Sequence, residues 1–304
     1  MRIGVIMGGV SSEKQVSIMT GNEMIANLDK NKYEIVPIIL NEKMDLIEKA
    51  KDIDFALLAL HGKYGEDGTV QGTLESLGIP YSGSNMLSSG ICMDKNMSKK
   101  ILRYEGIETP DWIELTKMED LDFDELDKLG FPLVVKPNSG GSSVGVKIVY
   151  DKDELISMLE TVFEWDSEVV IEKYIKGDEI TCSIFDGKQL PIISIRHAAE
   201  FFDYNAKYDD TSTIEEVIEL PAELKERVNK ASLACYKALK CSVYARVDMM
   251  VKDGIPYVME INTLPGMTQA SLLPKSAAAA GIEYSKLLDI IIETSLRVRK
   301  DEGF

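Results

Sequence analysis

The residues best placed to do chemistry lie near the end of the chain. From 243 to 251 every odd position is apolar: Val243, Ala245, Val247, Met249 and Val251. The even positions include Arg246 and Asp248. A second run carries apolar Tyr257, Met259 and Ile261 at odd positions, with Glu260 and Asn262 between and after them. Side chains of a strand alternate between its faces, so each run puts its polar members on one side. Lys252-Asp253-Gly254-Ile255 between the runs is a turn sequence and predicts a hairpin. Both odd faces want the core, so odd should pair with odd. A two-residue turn at Asp253-Gly254 breaks that parity, and an odd-length loop with Gly254 in the left-handed region is expected instead. Arg246, Asp248, Glu260 and Asn262 then converge on one face. Two carboxylates and an amide oxygen on rigid strands suit Mg²⁺, a hard cation that shares its oxygen ligands with phosphates. Arg246 keeps its charge and can stabilise developing negative charge. The plain alternative is a solvated sheet face with cross-strand ion pairs.

Lys136 and the loop after it form a second cluster. The lysine ends an apolar strand, and residues 138–145 hold three glycines and three serines. Such a loop can lay backbone N–H groups against phosphate while the lysine supplies a point charge. A surface hairpin is the commoner meaning of Gly/Ser clusters. No GxxxxGK followed by Ser or Thr occurs, so this is not a P-loop. Protein kinases place their glycine loop before the strand lysine, and here it follows.

Isolated residues add weight. Glu13 sits in the first turn of a helix after Gly8-Gly9, where a carboxylate favours the helix dipole in any case. Lys95 opens a helix, where a cation is unfavourable unless an anion meets it. His61 follows an apolar strand, the edge at which open α/β sheets bind ligands; a turn-capping histidine is the bland reading. Tyr204, Lys207 and Tyr208 fall in a polar, aromatic stretch from 197 to 213 with no clear period, expected to be a long functional loop that could act as a lid.

The elements that must position these residues are legible in outline. Residues 2–7 are a strand ending at Gly8-Gly9, and Ser11 or Ser12 can cap the next helix. Strands at 33–40 and 54–60 alternate with helices, which implies βαβ units and a parallel sheet. A helix spans 94–105, a strand 131–136 and a helix 151–165. Strands at 168–175, 179–185 and 189–195 follow with no helix between them, so one antiparallel sheet is expected. A helix over 221–240 has Pro in its first turn.

Composition narrows the classes. The 304 residues carry 51 acidic and 34 basic side chains, a net charge of −17, which disfavours nucleic acid or an anionic membrane as partner. The longest clear apolar run, 55–60, is far short of the roughly 18 residues of a membrane span. Neither a signal peptide nor a disulfide framework is indicated. Four cysteines without a CxxC and two histidines fit a reducing cytoplasm.

Eight motifs then occur in a telling order: MGGVSSEKQVS (7–17), LHGKYGEDGTVQG (60–72), MDK (93–95), VVKPNSGGSSVGV (134–146), EKYIKGDE (172–179), FFDYNAKY (201–208), ARVDMM (245–250) and MEINTLPGMTQASLLP (259–274). Together they resemble the D-alanine–D-alanine ligases of the ATP-grasp superfamily over essentially the full length. The resemblance implies a mixed α/β and α+β fold. An N-terminal parallel αβ lobe (1–92), pre-ATP-grasp and Rossmann-like, precedes a two-lobed ATP-grasp fold with antiparallel sheets. Its central lobe, 93–177, bears the glycine loop, and its C-terminal lobe, 178–304, bears the metal site and lid.

The implied activity joins two D-alanines at the expense of ATP through an acyl phosphate, for peptidoglycan precursors. The alternative is a related ligase using D-lactate or D-serine as second substrate. By resemblance, Lys95, Lys136 and Lys207 are phosphate ligands and Ser143 closes over the phosphates. Glu172, Lys173 and Ile175 meet the adenine edge, and Glu179 meets the ribose. Asp248, Glu260 and Asn262 hold Mg²⁺, two ions, with Mn²⁺ an acceptable substitute. Glu13 anchors the first D-alanine's ammonium beside His61. Arg246 and the backbone of Gly266 form the oxyanion site. Ser271 and Leu272 hold the second D-alanine's carboxylate. Glu13, Ser142 and Tyr208 form a hydrogen-bonded triad tying the lid to substrate. A homodimer is implied as well. Two departures stand out: Ser139-Gly140 replaces larger, charged residues and should leave the loop unusually mobile, and Ala270 replaces a histidine of some relatives. Tyr208 favours D-alanine as second substrate.

Overall fold

The computed structural model describes residues 1–141, 145–197 and 213–304. β1 (Arg2–Gly8) is buried from Ile3 onward. A strand apolar on both faces needs cover on both, which a parallel α/β arrangement provides. β1 accordingly runs between β2 (Glu34–Leu40) and β3 (Phe55–Leu58), parallel to each. α1 (Lys14–Asn27) packs on it through Ser17, Thr20, Gly21 and Met24, and α2 (Met44–Lys49) and α3 (Thr69–Leu77) complete the lobe. Neither Ser11 nor Ser12 is the cap of α1; Glu13 occupies that position without a side-chain capping bond. Ser11 instead accepts the Glu13 N–H at 3.2 Å and donates to the His61 carbonyl at 2.7 Å, joining the two loops.

α4 (Met86–Met93) and α5 (Lys95–Tyr104) lead to the second sheet. Asp94 between them caps α5 by accepting the Met97 N–H at 2.9 Å. The second sheet comprises β4 (Trp112–Leu115), β5 (Leu133–Pro137), β6 (Lys147–Val149) and β7 (Val169–Lys173) in the order β4-β7-β5-β6, all antiparallel. α6 (Phe123–Leu129) and α7 (Lys152–Val162) cover it with Leu126, Leu129, Leu155, Leu159 and Val162.

The third sheet takes β8 (Asp178–Phe185), β9 (Lys188–Gln189), β10 (Ile193–His197), β11 (Thr213–Val217), β12 (Tyr244–Lys252) and β13 (Ile255–Asn262). Its main order is β11-β10-β8-β12-β13, and β9 pairs β8. α8 (Ala222–Ala238) packs beneath it through Val228, Ser232 and Cys235. The expectation of a single sheet over 168–195 is corrected here. All the pairings are antiparallel, but β7 belongs to the second sheet and β8 and β10 to the third. Short connections do not guarantee pairing, and the chain changes sheets between 173 and 178. Gly177 sits at that crossing, where a Cβ would stand 2.3 Å from the Val251 carbonyl oxygen. Backbone on both sides leaves little to give. Gly177→Ala should therefore lower stability by about 1–3 kcal/mol, the overpacking range, read as a lower denaturant midpoint at unchanged slope.

The hairpin also corrects its expected parity. Lys252 pairs with Ile255 around a two-residue turn whose Asp253 and Gly254 both have positive φ, 52° and 76°. That is the type I′ signature. The register runs Met249↔Val258 but Asp248↔Glu260, so Met259 is the extra residue of a bulge. Near the turn the core therefore takes Pro256 and Val258, while Tyr257 and Met259 are half-buried. Beyond the bulge odd pairs with odd again, at Val247↔Ile261.

α9 (Leu272–Ala279) and α10 (Tyr284–Asp301) end the chain. Leu273, Leu287, Leu288, Ile291 and Ile292 join the core of the first sheet, so the last helices return to the first lobe. No helix among the described residues is long and apolar enough to cross a membrane.

Candidate active site

The hairpin sets its polar residues directly opposite one another: Arg246 faces Asn262, and Asp248 faces Glu260. Arg246 grips Asp248 in bidentate fashion, Nε to Oδ1 at 2.9 Å and Nη2 to Oδ2 at 2.8 Å. Thr181 on β8 donates to Asp248 Oδ1 at 2.6 Å, and Asn262 Nδ2 donates to Oδ2 at 2.9 Å. Burial works against the Arg246 charge, but Asp248, Glu260 and Glu66 outweigh it and push the guanidinium pKa up. The donor set of Asp248, Glu260 and the Asn262 amide oxygen is all hard oxygen and fits Mg²⁺. Among the described residues no cluster of three carboxylate, histidine or cysteine ligands forms, so an ion held here would complete its shell with water or substrate oxygens.

Three lysines approach from α5 and β5. Lys95 Nζ donates to the Gly140 carbonyl at 2.5 Å and stands 4.0 Å from Glu260 Oε2. Its pKa is lowered, first by burial and then by Lys136, with Glu260 opposing. Lys136 Nζ meets Glu172 Oε1 at 2.6 Å, and Lys99 Nζ meets Glu172 Oε2 at 2.9 Å. Glu172 is wholly buried. Burial alone would raise its carboxyl, but the charges of Lys136 and Lys99 overcome this and hold it down at about 2. Burial pulls Lys99 to about 8 against the Glu172 charge. Lys99 also donates to Thr109 Oγ1 at 2.8 Å and to the Pro110 carbonyl at 3.2 Å. The sequence reading passed over Lys99, although it lies four residues after Lys95 and hence on the same helix face.

The root of the glycine loop is tied down. Asn138 is buried and donates to Asp94 Oδ1 at 2.9 Å and Glu168 Oε2 at 2.7 Å, and its own Oδ1 accepts the Asn96 N–H at 2.8 Å. The Ser139 N–H donates to Asp166 Oδ2 at 2.7 Å. Ser142 and Ser143 lie outside the described residues, as do Tyr204, Lys207 and Tyr208.

Glu13 reaches the same place from the first lobe. A Cβ on Gly62 would come within 2.7 Å of Glu13 Oε2, and one on Gly141 within 3.7 Å. The carboxylate thus lies between the His61-Gly62 turn and the glycine loop. His61 is held by Thr20 Oγ1 at 3.2 Å and Glu66 Oε1 at 3.4 Å. Ser271 is the N-cap residue of α9, which starts at Leu272, and its Oγ pairs with Thr268 Oγ1 at 2.8 Å rather than with the helix. Gly266 backs onto it: a Cβ there would stand 2.9 Å from Ser271 Oγ. Glu179 is half-buried on β8, Ile175 is buried, and Lys173 ends β7 with an exposed side chain.

Lys95, Gly140, Gly141, Glu260 and Asn262 line one cleft. A parallel α/β lobe followed by two antiparallel sheets, with lysines and a glycine loop facing two carboxylates, defines an ATP-grasp type of ligase. Comparison with known proteins agrees. The family model described as D-ala D-ala ligase C-terminus matches residues 100–293, and that described as D-ala D-ala ligase N-terminus matches 2–49 and 41–84. A D-alanine–D-alanine ligase of Bacillus anthracis is 97% identical over 304 residues, covering 100% of both chains. A crystal structure of the Bacillus anthracis ligase complexed with ATP superposes with a TM-score of 0.93 at 93% identity, again over 100% of both chains. The VanG D-Ala:D-Ser ligase of Enterococcus faecalis has a TM-score of 0.83 at 31% identity, covering 97% of this chain and 99% of that one. The chain belongs to the D-alanine–D-alanine ligase family. Its enzymatic activity is the joining of two D-alanines, which the near-identical relative supports over the D-lactate or D-serine alternative.

Proposed function

We propose that the cleft binds ATP and D-alanine together and forms D-alanyl-D-alanine through an acyl phosphate. An amine does not displace oxide from a carboxylate, so the first D-alanine's carboxylate must be activated. Its oxygen attacks the γ-phosphorus of ATP, the bond to ADP breaks, and the acyl phosphate forms. The second D-alanine's amine attacks the carbonyl carbon, and phosphate leaves as the tetrahedral intermediate collapses. Water would hydrolyse the acyl phosphate, so a closing lid is called for, the role expected of Ser143 and of the 197–213 stretch with Lys207.

The observation that carries this reading is the convergence of Arg246, Asp248, Glu260 and Asn262 with Lys95 and the glycine loop. Lys95 and Lys136 take the phosphates; Glu172, Lys173 and Ile175 take the adenine and Glu179 the ribose. Glu13 and His61 take the first D-alanine, and Ser271 and Leu272 the second one's carboxylate. Ser142 and Tyr208 complete the triad with Glu13. Asp248, Glu260 and Asn262 would hold two Mg²⁺ ions, or Mn²⁺, that would neutralise the phosphate charge. Arg246 and the Gly266 N–H stabilise the oxyanion. Lobes 1–92, 93–177 and 178–304 divide these tasks, in a cytoplasmic homodimer.

ADP release measured with D-alanine, L-alanine, D-lactate and D-serine as sole or paired acceptors tests the reading. Turnover should require D-alanine, and turnover with L-alanine alone would overturn it. Arg246→Ala should lower kcat by about 10²- to 10³-fold, the scale for one oxyanion donor. A near-unchanged kcat would remove that role.

A further inference from the structure

Four cysteines are present, and two of them meet across the molecule. Cys92 lies near the end of α4, three residues before Lys95, and Cys241 lies in the loop between α8 and β12. Their sulfurs are 3.9 Å apart, and both thiols are free. Cys92 also lines the cleft beside Lys95, Gly140 and Glu260, and both cysteines are buried. Ser88 Oγ adds a donor to Cys241 at 3.5 Å. The Cys92 thiol, joined by Ser88 and Ser84, pulls the Cys241 pKa down against burial, while Cys92 is raised by sharing its proton. Burial raises Cys182 and Cys235 as well.

The separation bears on the chemistry. Two sulfurs bound to one pyramidal trivalent centre stay well beyond bonding distance of each other, nearer the observed 3.9 Å than the sulfurs of a disulfide are. A disulfide requires about 2.05 Å. The pair therefore stands ready to share a third atom and would have to move to bond directly. An agent that needs only two sulfurs fits this site, because among the described residues no further metal-ligating cluster stands by.

We propose that Cys92 and Cys241 form a dithiol site for trivalent, monosubstituted arsenicals, and that its occupation stops turnover. In the reaction two As–OH groups of the hydrated arsenical are replaced by two As–S bonds. The two thiol protons leave with the hydroxyls as two waters, and arsenic stays trivalent. The bridge would pin the end of α4 to the start of β12, and so couple the segment bearing Lys95 to the strand bearing Arg246 and Asp248.

Titration of the full-length enzyme with phenylarsine oxide tests this. Intact mass should show one arsenical per chain, thiol counting should show two thiols lost, and ADP release should fall in step. A small dithiol should reverse the effect and a monothiol should not. Cys92→Ser and Cys241→Ser should each weaken the apparent affinity by at least about 10²-fold, the loss expected when a bivalent host becomes monovalent, and Cys235→Ser should not change it. Loss of a single thiol, modification mapping to Cys182 or Cys235, unchanged potency in both serine variants, or full turnover with both thiols blocked would each overturn the proposal. The mass and thiol counts on the parent protein decide the matter even if a variant fails to fold.

Discussion

Glu260→Ala should lower Mg²⁺-dependent turnover by at least about 10³-fold, since a divalent cation contributes several kcal/mol of charge stabilisation in phosphoryl transfer. The reason lies in how the neighbouring carboxylate is already engaged. Asp248 accepts hydrogen bonds from Thr181, Arg246 and Asn262, which fill most of its lone pairs. Glu260, directly opposite in register, has its nearest cation among the described residues at 4.0 Å, in Lys95. It is thus the carboxylate with most coordination capacity to offer an incoming ion. Its loss should raise the Mg²⁺ concentration for half-maximal rate and depress the rate at saturation. Glu260→Asp, which keeps the charge on a shorter stem, should fall between. The control is thermal stability. Glu260 is half-exposed in the hairpin, so its removal should leave Tm nearly unchanged. Retained turnover in Glu260→Ala would refute the metal assignment.

The polar face of this hairpin was legible because alternation is local: two runs of period two with a turn between them. The parity of the turn was not. A bulge adds one residue without leaving a mark in the hydrophobic pattern, and Met259 reads as a core position until Val258 is seen to take its place. Sheet membership was hidden for a similar reason. β7 and β8 are separated by four residues yet pair with different partners, because pairing is settled by which cores need cover. The parallel lobe was easier, since alternating strand and helix allows few topologies. What the sequence could not display was the company kept by Glu172. Its two partners come from 36 residues upstream on β5 and from α5, a contact made only by the tertiary fold. Motif resemblance assigned Glu172 to a nucleotide edge, while the geometry also gives it a structural duty.

Glu172→Gln should lower stability by about 3–5 kcal/mol, the range for breaking a buried ion pair by removing one partner. The asymmetry within the triad decides this. One buried carboxylate answers two ammonium groups, with Lys99 almost fully enclosed and Lys136 nearly so. Removing the carboxylate leaves two desolvated cations facing each other. Removing Lys99 leaves a matched pair, so Lys99→Met alone should cost less, and Lys99→Met added to Glu172→Gln should recover part of the loss. Non-additivity of that sign, measured by denaturant unfolding, is the signature of the shared charge. A pH dependence follows from the same carboxyl. Its folded pKa of about 2 lies below its usual 4.5, so its contribution is present above pH 4.5 and drains away as the pH falls towards 2. The double variant should lack that part of the acid sensitivity. In the proposed reaction Lys136 turns towards phosphate, and Lys99 then remains as the standing counter-ion of Glu172. Lys99→Met should therefore raise KM for ATP more than it lowers kcat. Equal stability losses in the two single variants, with strict additivity in the double, would show that the triad is not balanced in this way.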